Sequence, residues 1–95
     1  MTAAHRHQDY CSGHGCWPPR PNAEASPDVF INNKGSHRLG DGWESHCCVE
    51  CHGGEAAEGS PNVFVNGRPK CRIGDAVSCG STMMEGSPDV FVNGS

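Results

Sequence analysis

Ser26-Pro27-Asp28-Val29-Phe30-Ile31-Asn32, Ser60-Pro61-Asn62-Val63-Phe64-Val65-Asn66 and Ser87-Pro88-Asp89-Val90-Phe91-Val92-Asn93 are one motif written three times. An internal repeat of this kind settles the architecture before any other feature does. Its centre is a short β-branched and aromatic run, which predicts a strand. Asn66-Gly67, behind the second copy, is a type I′ hairpin signal, so each strand is expected to fold back on itself. A second element recurs between the copies: His5-Arg6-His7-Gln8-Asp9, His37-Arg38-Leu39-Gly40-Asp41 and Cys71-Arg72-Ile73-Gly74-Asp75 share an Arg and, three residues later, an Asp. Each returning strand is therefore expected to run into the next Arg element. The third copy runs out at Asn93-Gly94-Ser95, so its returning strand is expected to come from the N-terminal Arg element, which closes the set into a ring.

The expected fold is mostly β: a single domain over residues 1–95, with three hairpin units at about 5–36, 37–70 and 71–95 and pseudo-threefold symmetry. Alternation along each strand sends Phe30, Phe64 and Phe91 to one face and Val29/Ile31, Val63/Val65 and Val90/Val92 to the other. The Phe triplet is read as the small shared core. Two readings stay open for the Val/Ile set: buried packing, or a docking face for a partner.

Such a chain has little apolar material, with 35% hydrophobic and 6% aromatic residues, so burial alone does not hold it together. Thirteen Gly and seven Pro argue against long helices. Seven Cys and six His remain as the stabilising chemistry, and an odd number of thiols cannot pair completely. The first seven residues are polar, without the apolar stretch of a secretory signal, which predicts synthesis in the cytoplasm. In that reducing setting Cys with His reads as metal before disulfide. A net charge of -4 offers no basic footprint for nucleic acid, and no apolar run approaches a membrane span.

Aligning the units on their Asp places His14 five residues after Asp9, His46 five after Asp41 and Cys79 four after Asp75. Converging loops would bring these side chains together, and a closed structural zinc site needs a fourth ligand. His52 supplies it, eight residues before Ser60 as Cys79 lies eight before Ser87. The expected site is three His and one Cys, suited to Zn²⁺, with Fe²⁺ as the second candidate. A rival four-cysteine set, Cys11, Cys16, Cys48 and Cys51, is ordinary zinc chemistry but leaves the His residues without a role. His5, His37 and Cys71 form a second repeat-equivalent triplet, expected to pack or face solvent. Trp17 and Trp43 read as loop anchors, and Arg6, Arg38 and Arg72 as ion-pair partners of Asp9, Asp41 and Asp75.

The run from Gly59 to Asp75, Gly-Ser-Pro-Asn-Val-Phe-Val-Asn-Gly-Arg-Pro-Lys-Cys-Arg-Ile-Gly-Asp, resembles the PAAR-repeat family, which caps the spikes of type VI secretion systems and contractile phage tails. The sequence departs from the namesake motif where Lys70-Cys71-Arg72 stands in place of Ala-Ala-Arg. The resemblance extends to the stretch from Gly13 to Pro21 and to Val77-Ser78-Cys79-Gly80. It implies a short cone with zinc near its point, held by His14, His46, His52 and Cys79. It also implies that the base docks, one chain per trimer, on a VgrG-like or phage central spike, with Val29, Ile31, Val63, Val65, Val90 and Val92 as the docking set. Delivery across a target envelope, transient contact with its membrane and a separately bound effector cargo would follow.

Two other functions compete. A zinc hydrolase needs an open coordination position and a general base, yet Glu44, Glu50, Glu55 and Glu58 keep no fixed spacing to the His residues. A small zinc-binding interaction module or metallochaperone would use the Cys cluster instead.

Overall fold

The computed structural model describes residues 2–92. The turn read at Asn93-Gly94-Ser95 lies outside them. Every described regular element is a strand: β1 (Thr2–Ala3), β2 (Phe30–Ile31), β3 (Lys34–Gly35), β4 (Gly42–Cys47), β5 (Cys51–Glu55), β6 (Phe64–Val65), β7 (Arg68–Pro69) and β8 (Phe91–Val92). No helix among the described residues is long and apolar enough to cross a membrane.

The motif copies fold as two-residue hairpins. In β2–β3, Ile31 pairs with Lys34, and in β6–β7, Val65 pairs with Arg68. The type I′ turn needs positive φ at both central residues; Asn32 and Asn33 have φ of 54° and 65°, Asn66 and Gly67 of 52° and 79°. The third motif strand, β8, pairs antiparallel with β1, Thr2 against Val92 and Ala3 against Phe91. The returning strand thus begins at Thr2, ahead of the N-terminal Arg element. Each Arg element is clamped by its own Asp: Arg6 Nε donates to Asp9 at 2.8 Å, Arg38 to Asp41 at 2.9 Å and Arg72 to Asp75 at 3.1 Å. In every motif the Ser hydroxyl accepts the backbone N–H of the Val three residues on, at 2.9–3.0 Å, which fixes the Ser-Pro-Asx turn.

The Phe triplet is not the core. Phe30, Phe64 and Phe91 are 60%, 55% and 49% exposed. Two-residue strands arranged around a cavity have an inside and an outside, and the Val/Ile residues take the inside. All six line a cavity of about 350 Å³, with Val65 and Val92 buried, Val29 and Val90 at its more exposed edge, and Phe91, Ser36 and Lys70 beside them. The true core is a separate cluster of Cys11, Trp43, Ala56, Cys71, Val77 and Met83.

Contacts run in sequence from that cavity to the loops that carry the His/Cys group, in a molecule 37 × 25 × 22 Å in extent. Lys70 lies behind the cavity, against the backbone of His5, His37 and Cys71. The rings of His5 and His37, fully buried, pack on Trp43 at 5.3 Å. Arg20 covers the other part of Trp43 and reaches Cys79. This stacking is what positions the His/Cys group.

Candidate metal centre

Three short segments carry the candidate ligands. In the first, Gly13 and Gly15 adopt left-handed φ of 72° and 53°, and His14 and Trp17 exchange two backbone hydrogen bonds around a tight turn. A Cβ on Gly13 would stand 2.6 Å from the carbonyl oxygen of Trp17, so only Gly fits there. The second segment is the β4–β5 hairpin, where His46 pairs directly with His52. The third is the Val77–Gly80 turn, closed by a backbone bond from Gly80 to Val77, which presents Cys79.

The structure brings His14, His46, His52 and Cys79 together, their ligand atoms all within 4.8 Å of one another. The Nε2 atoms of His14 and His52 are 3.0 Å apart, those of His46 and His52 2.6 Å. Tetrahedral zinc with bonds of about 2.0–2.3 Å separates its ligands by roughly 3.3–3.8 Å, so small side-chain adjustments admit the ion. The donor set fits too. His46 Nδ1–H donates to the carbonyl of Pro18 at 2.8 Å, which leaves its Nε2 lone pair for a metal. Burial, followed by the neighbouring His46 and His14, holds His52 below its ordinary pKa. Burial pushes the Cys79 thiol up, but hydrogen bonds from Ser81 and Arg20 outweigh it and the net shift is down. Three imidazoles and one thiol can bind a borderline metal.

Arg20 was not singled out by the sequence. It is buried, donates from Nε to the carbonyl of Glu44 at 2.8 Å, and reaches Cys11 Sγ at 3.0 Å, the Ser81 hydroxyl at 3.2 Å and Cys79 Sγ at 3.3 Å. One guanidinium therefore ties three loops together behind the group. Trp17 stacks on His14 with ring centroids 5.2 Å apart and donates from Nε1 to the Glu50 carbonyl, anchoring one loop to the hairpin turn.

The rival four-cysteine set is overturned, and so is the precedence of metal over disulfide for most of the cysteines. Cys16 is bonded to Cys48 and Cys47 to Cys51, so three members of that set have no free thiolate. Cys11, the fourth, is buried against Arg20. The reason is register: Cys47 and Cys51 stand opposite each other in β4–β5, with Cα atoms 4.0 Å apart. The disulfides flank the candidate ligands, Cys47 and Cys48 following His46 and Cys51 preceding His52.

The second triplet packs. His5 Nδ1–H donates to the carbonyl of Glu85 at 2.7 Å, His37 Nδ1–H to that of Glu24 at 2.8 Å, and Cys71 Sγ to that of Glu58 at 3.4 Å. The carboxylates of the same three residues accept the backbone N–H groups of Tyr10, Gly42 and Ala76. Glu58, considered as a general base, is thus a turn-closing residue.

A family model described as the PAAR motif matches residues 12–85 and again 52–95. No curated protein matches the chain.

Proposed function

The chain belongs to the PAAR-motif family, and from that premise we propose that it is a structural cap on the end of a trimeric spike, pinned by zinc at its His/Cys group. The spike is of the VgrG-like kind or the central spike of a contractile phage tail. One observation carries the reading. The cavity at the motif strands is lined by two residues from each copy: Val29 and Ile31, Val63 and Val65, Val90 and Val92. Three near-identical apolar patches on one chain match a partner made of three identical chains, so a single copy engages all three at once. Pseudo-threefold symmetry of the three hairpin units belongs to this proposal.

The remote loops then form the leading point. His14, His46, His52 and Cys79 hold Zn²⁺, with Fe²⁺ the second candidate, and the metal joins loops too poor in apolar side chains to form a core. Force from a contracting sheath would concentrate there on a target membrane. A cargo effector would be carried alongside. The role is mechanical: four protein ligands leave no coordination position for a substrate, and Glu58 is engaged at a turn. The metallochaperone reading loses its support, because the disulfides leave one thiol in the metal group.

Co-expression with a VgrG-like trimer followed by native mass spectrometry tests this. A mass of one chain per trimer is expected, lost in a V29D/V63D/V90D variant that keeps its metal. A free homotrimer, or no complex with any spike trimer tried, would overturn the proposal.

A further inference from the structure

Three backbone segments meet behind the apolar cavity, and their hydrogen bonds form a closed triangle. The N–H of His5 donates to the carbonyl of Cys71 at 3.2 Å, that of Cys71 to His37 at 3.1 Å, and that of His37 to His5 at 3.4 Å. Each of the three carbonyl oxygens keeps a second lone pair. With it, all three accept a hydrogen bond from one donor: Lys70 Nζ lies 2.5 Å from the His5 oxygen, 2.8 Å from that of Cys71 and 3.3 Å from that of His37. An ammonium has three donors, and here each has its own carbonyl.

Lys70 is 2% exposed, and among the described residues no carboxylate lies within ion-pair distance of it. Burial pulls its ammonium down to about 8, against the opposing attraction of Cys71 and of the carboxylates of Asp9, Asp75 and Asp41, so the charge survives at neutral pH with three carbonyls as its direct partners. The preceding positions of the other two segments are short, Ala4 and Ser36, both fully buried, and this leaves room for one long side chain at the centre. Lys70 is also where the sequence departs from the Ala of the family pattern.

We propose that the carbonyl oxygens of His5, His37 and Cys71 form a binding site for an ammonium-type cation, and that Lys70 is its tethered occupant. The cation is the tie that holds the three Arg-element segments in one ring. Because Lys70 lines the apolar cavity, shortening its side chain opens the site to solvent ions through that cavity.

The full chain, metal-loaded, supplies the test. The lysines are Lys34 and Lys70, and the side chain of Lys34 is 47% exposed. At pH 6 one ¹⁵N-lysine ammonium signal is expected to be protected from solvent exchange, and to vanish in K70M. In both K70A and K70M the melting temperature should fall by roughly 10 °C. Ammonium chloride should restore much of the loss in K70A, whereas choline chloride at equal ionic strength should not, and K70M, whose side chain fills the path, should respond to neither. If K70A does not fold, its refolded fraction is read in the same two salts. A K70M melting temperature equal to wild type, two unprotected ammonium signals, or equal recovery in ammonium and choline would each overturn the assignment.

Discussion

His46 and His52 face each other directly across the β4–β5 hairpin, their Nε2 atoms 2.6 Å apart. Two imidazoles at this separation either share a proton or bind a common ion, and the approach of His14 and Cys79 to the same point favours the ion. Single Ala substitutions at His14, His46, His52 and Cys79 are expected to lower bound zinc from one equivalent and to reduce the melting temperature. Structural zinc contributes on the order of 10 kcal/mol to folding, so a strong chelator should loosen the wild type as well. Metal analysis by mass spectrometry, with calorimetry, checks both. Unchanged stoichiometry in all four variants would exclude the site.

Arg20 binds no metal in this scheme, yet it touches Cys79 and Cys11 from behind. Removing such a supporting partner commonly costs about 10–100-fold in metal affinity. R20Q is expected to lose affinity in that range while keeping one metal equivalent. Cobalt titration reads it through the sulfur-to-cobalt charge-transfer band, which should shift in R20Q.

The two disulfides hold the ligand-bearing loops at fixed distances, so they should slow metal release. The Cys16–Cys48 bridge spans 32 residues and the Cys47–Cys51 bridge four, which corresponds to about 4 and about 2 kcal/mol of chain-entropy stabilisation. C16S/C48S is therefore expected to lose more stability than C47S/C51S. Stopped-flow transfer of zinc to a coloured chelator should be faster for both than for the oxidised wild type.

Burial, and then the neighbouring His37, hold His5 down to about 3; burial likewise holds His37 down to about 4. In the unfolded chain both accept a proton near the ordinary value of about 6.5. Between these limits the unfolded state binds more protons, so stability rises with pH. This contribution is complete above about pH 6.5 and is lost as pH falls toward 4 and then 3. Urea unfolding of metal-free protein should show it, with a slope approaching about 1.4 kcal/mol per pH unit for each proton taken up. H37Q should flatten the slope.

The exposed Phe64 contrasts with the buried Val65 that follows it. F64S is expected to change stability by less than about 0.5 kcal/mol. V65A, at an 8% exposed position lining the cavity, should cost more, about 1–2 kcal/mol. Paired denaturation curves decide it.

Local signals carried much of the fold. Asn66-Gly67 specifies its own turn, and an Arg three residues before an Asp specifies its own clamp, because both partners lie within a few residues. Period-two alternation groups the Val/Ile residues, but reading the Phe triplet as the core fails, because a two-residue strand has faces but no fixed inside until the ring around it exists. The cysteines misled for a related reason. Cys48 and Cys51 have the spacing of a metal pair, whereas hairpin register places Cys47 opposite Cys51. Arg20 left no local trace, since its sulfur and hydroxyl partners lie 9, 59 and 61 residues away. Lys70 was visible as a departure from a motif, but only the meeting of three distant carbonyls gives it a purpose.

Thr2 is paired with Val92, so the earliest described residues of the chain wait for the last ones. On a ribosome the ring cannot close until Val92 has emerged. The Lys70 ammonium must likewise gather carbonyls from positions 5, 37 and 71 before it can leave water. Folding is therefore expected to be slow and governed by long-range closure, with few stable partial structures along the way.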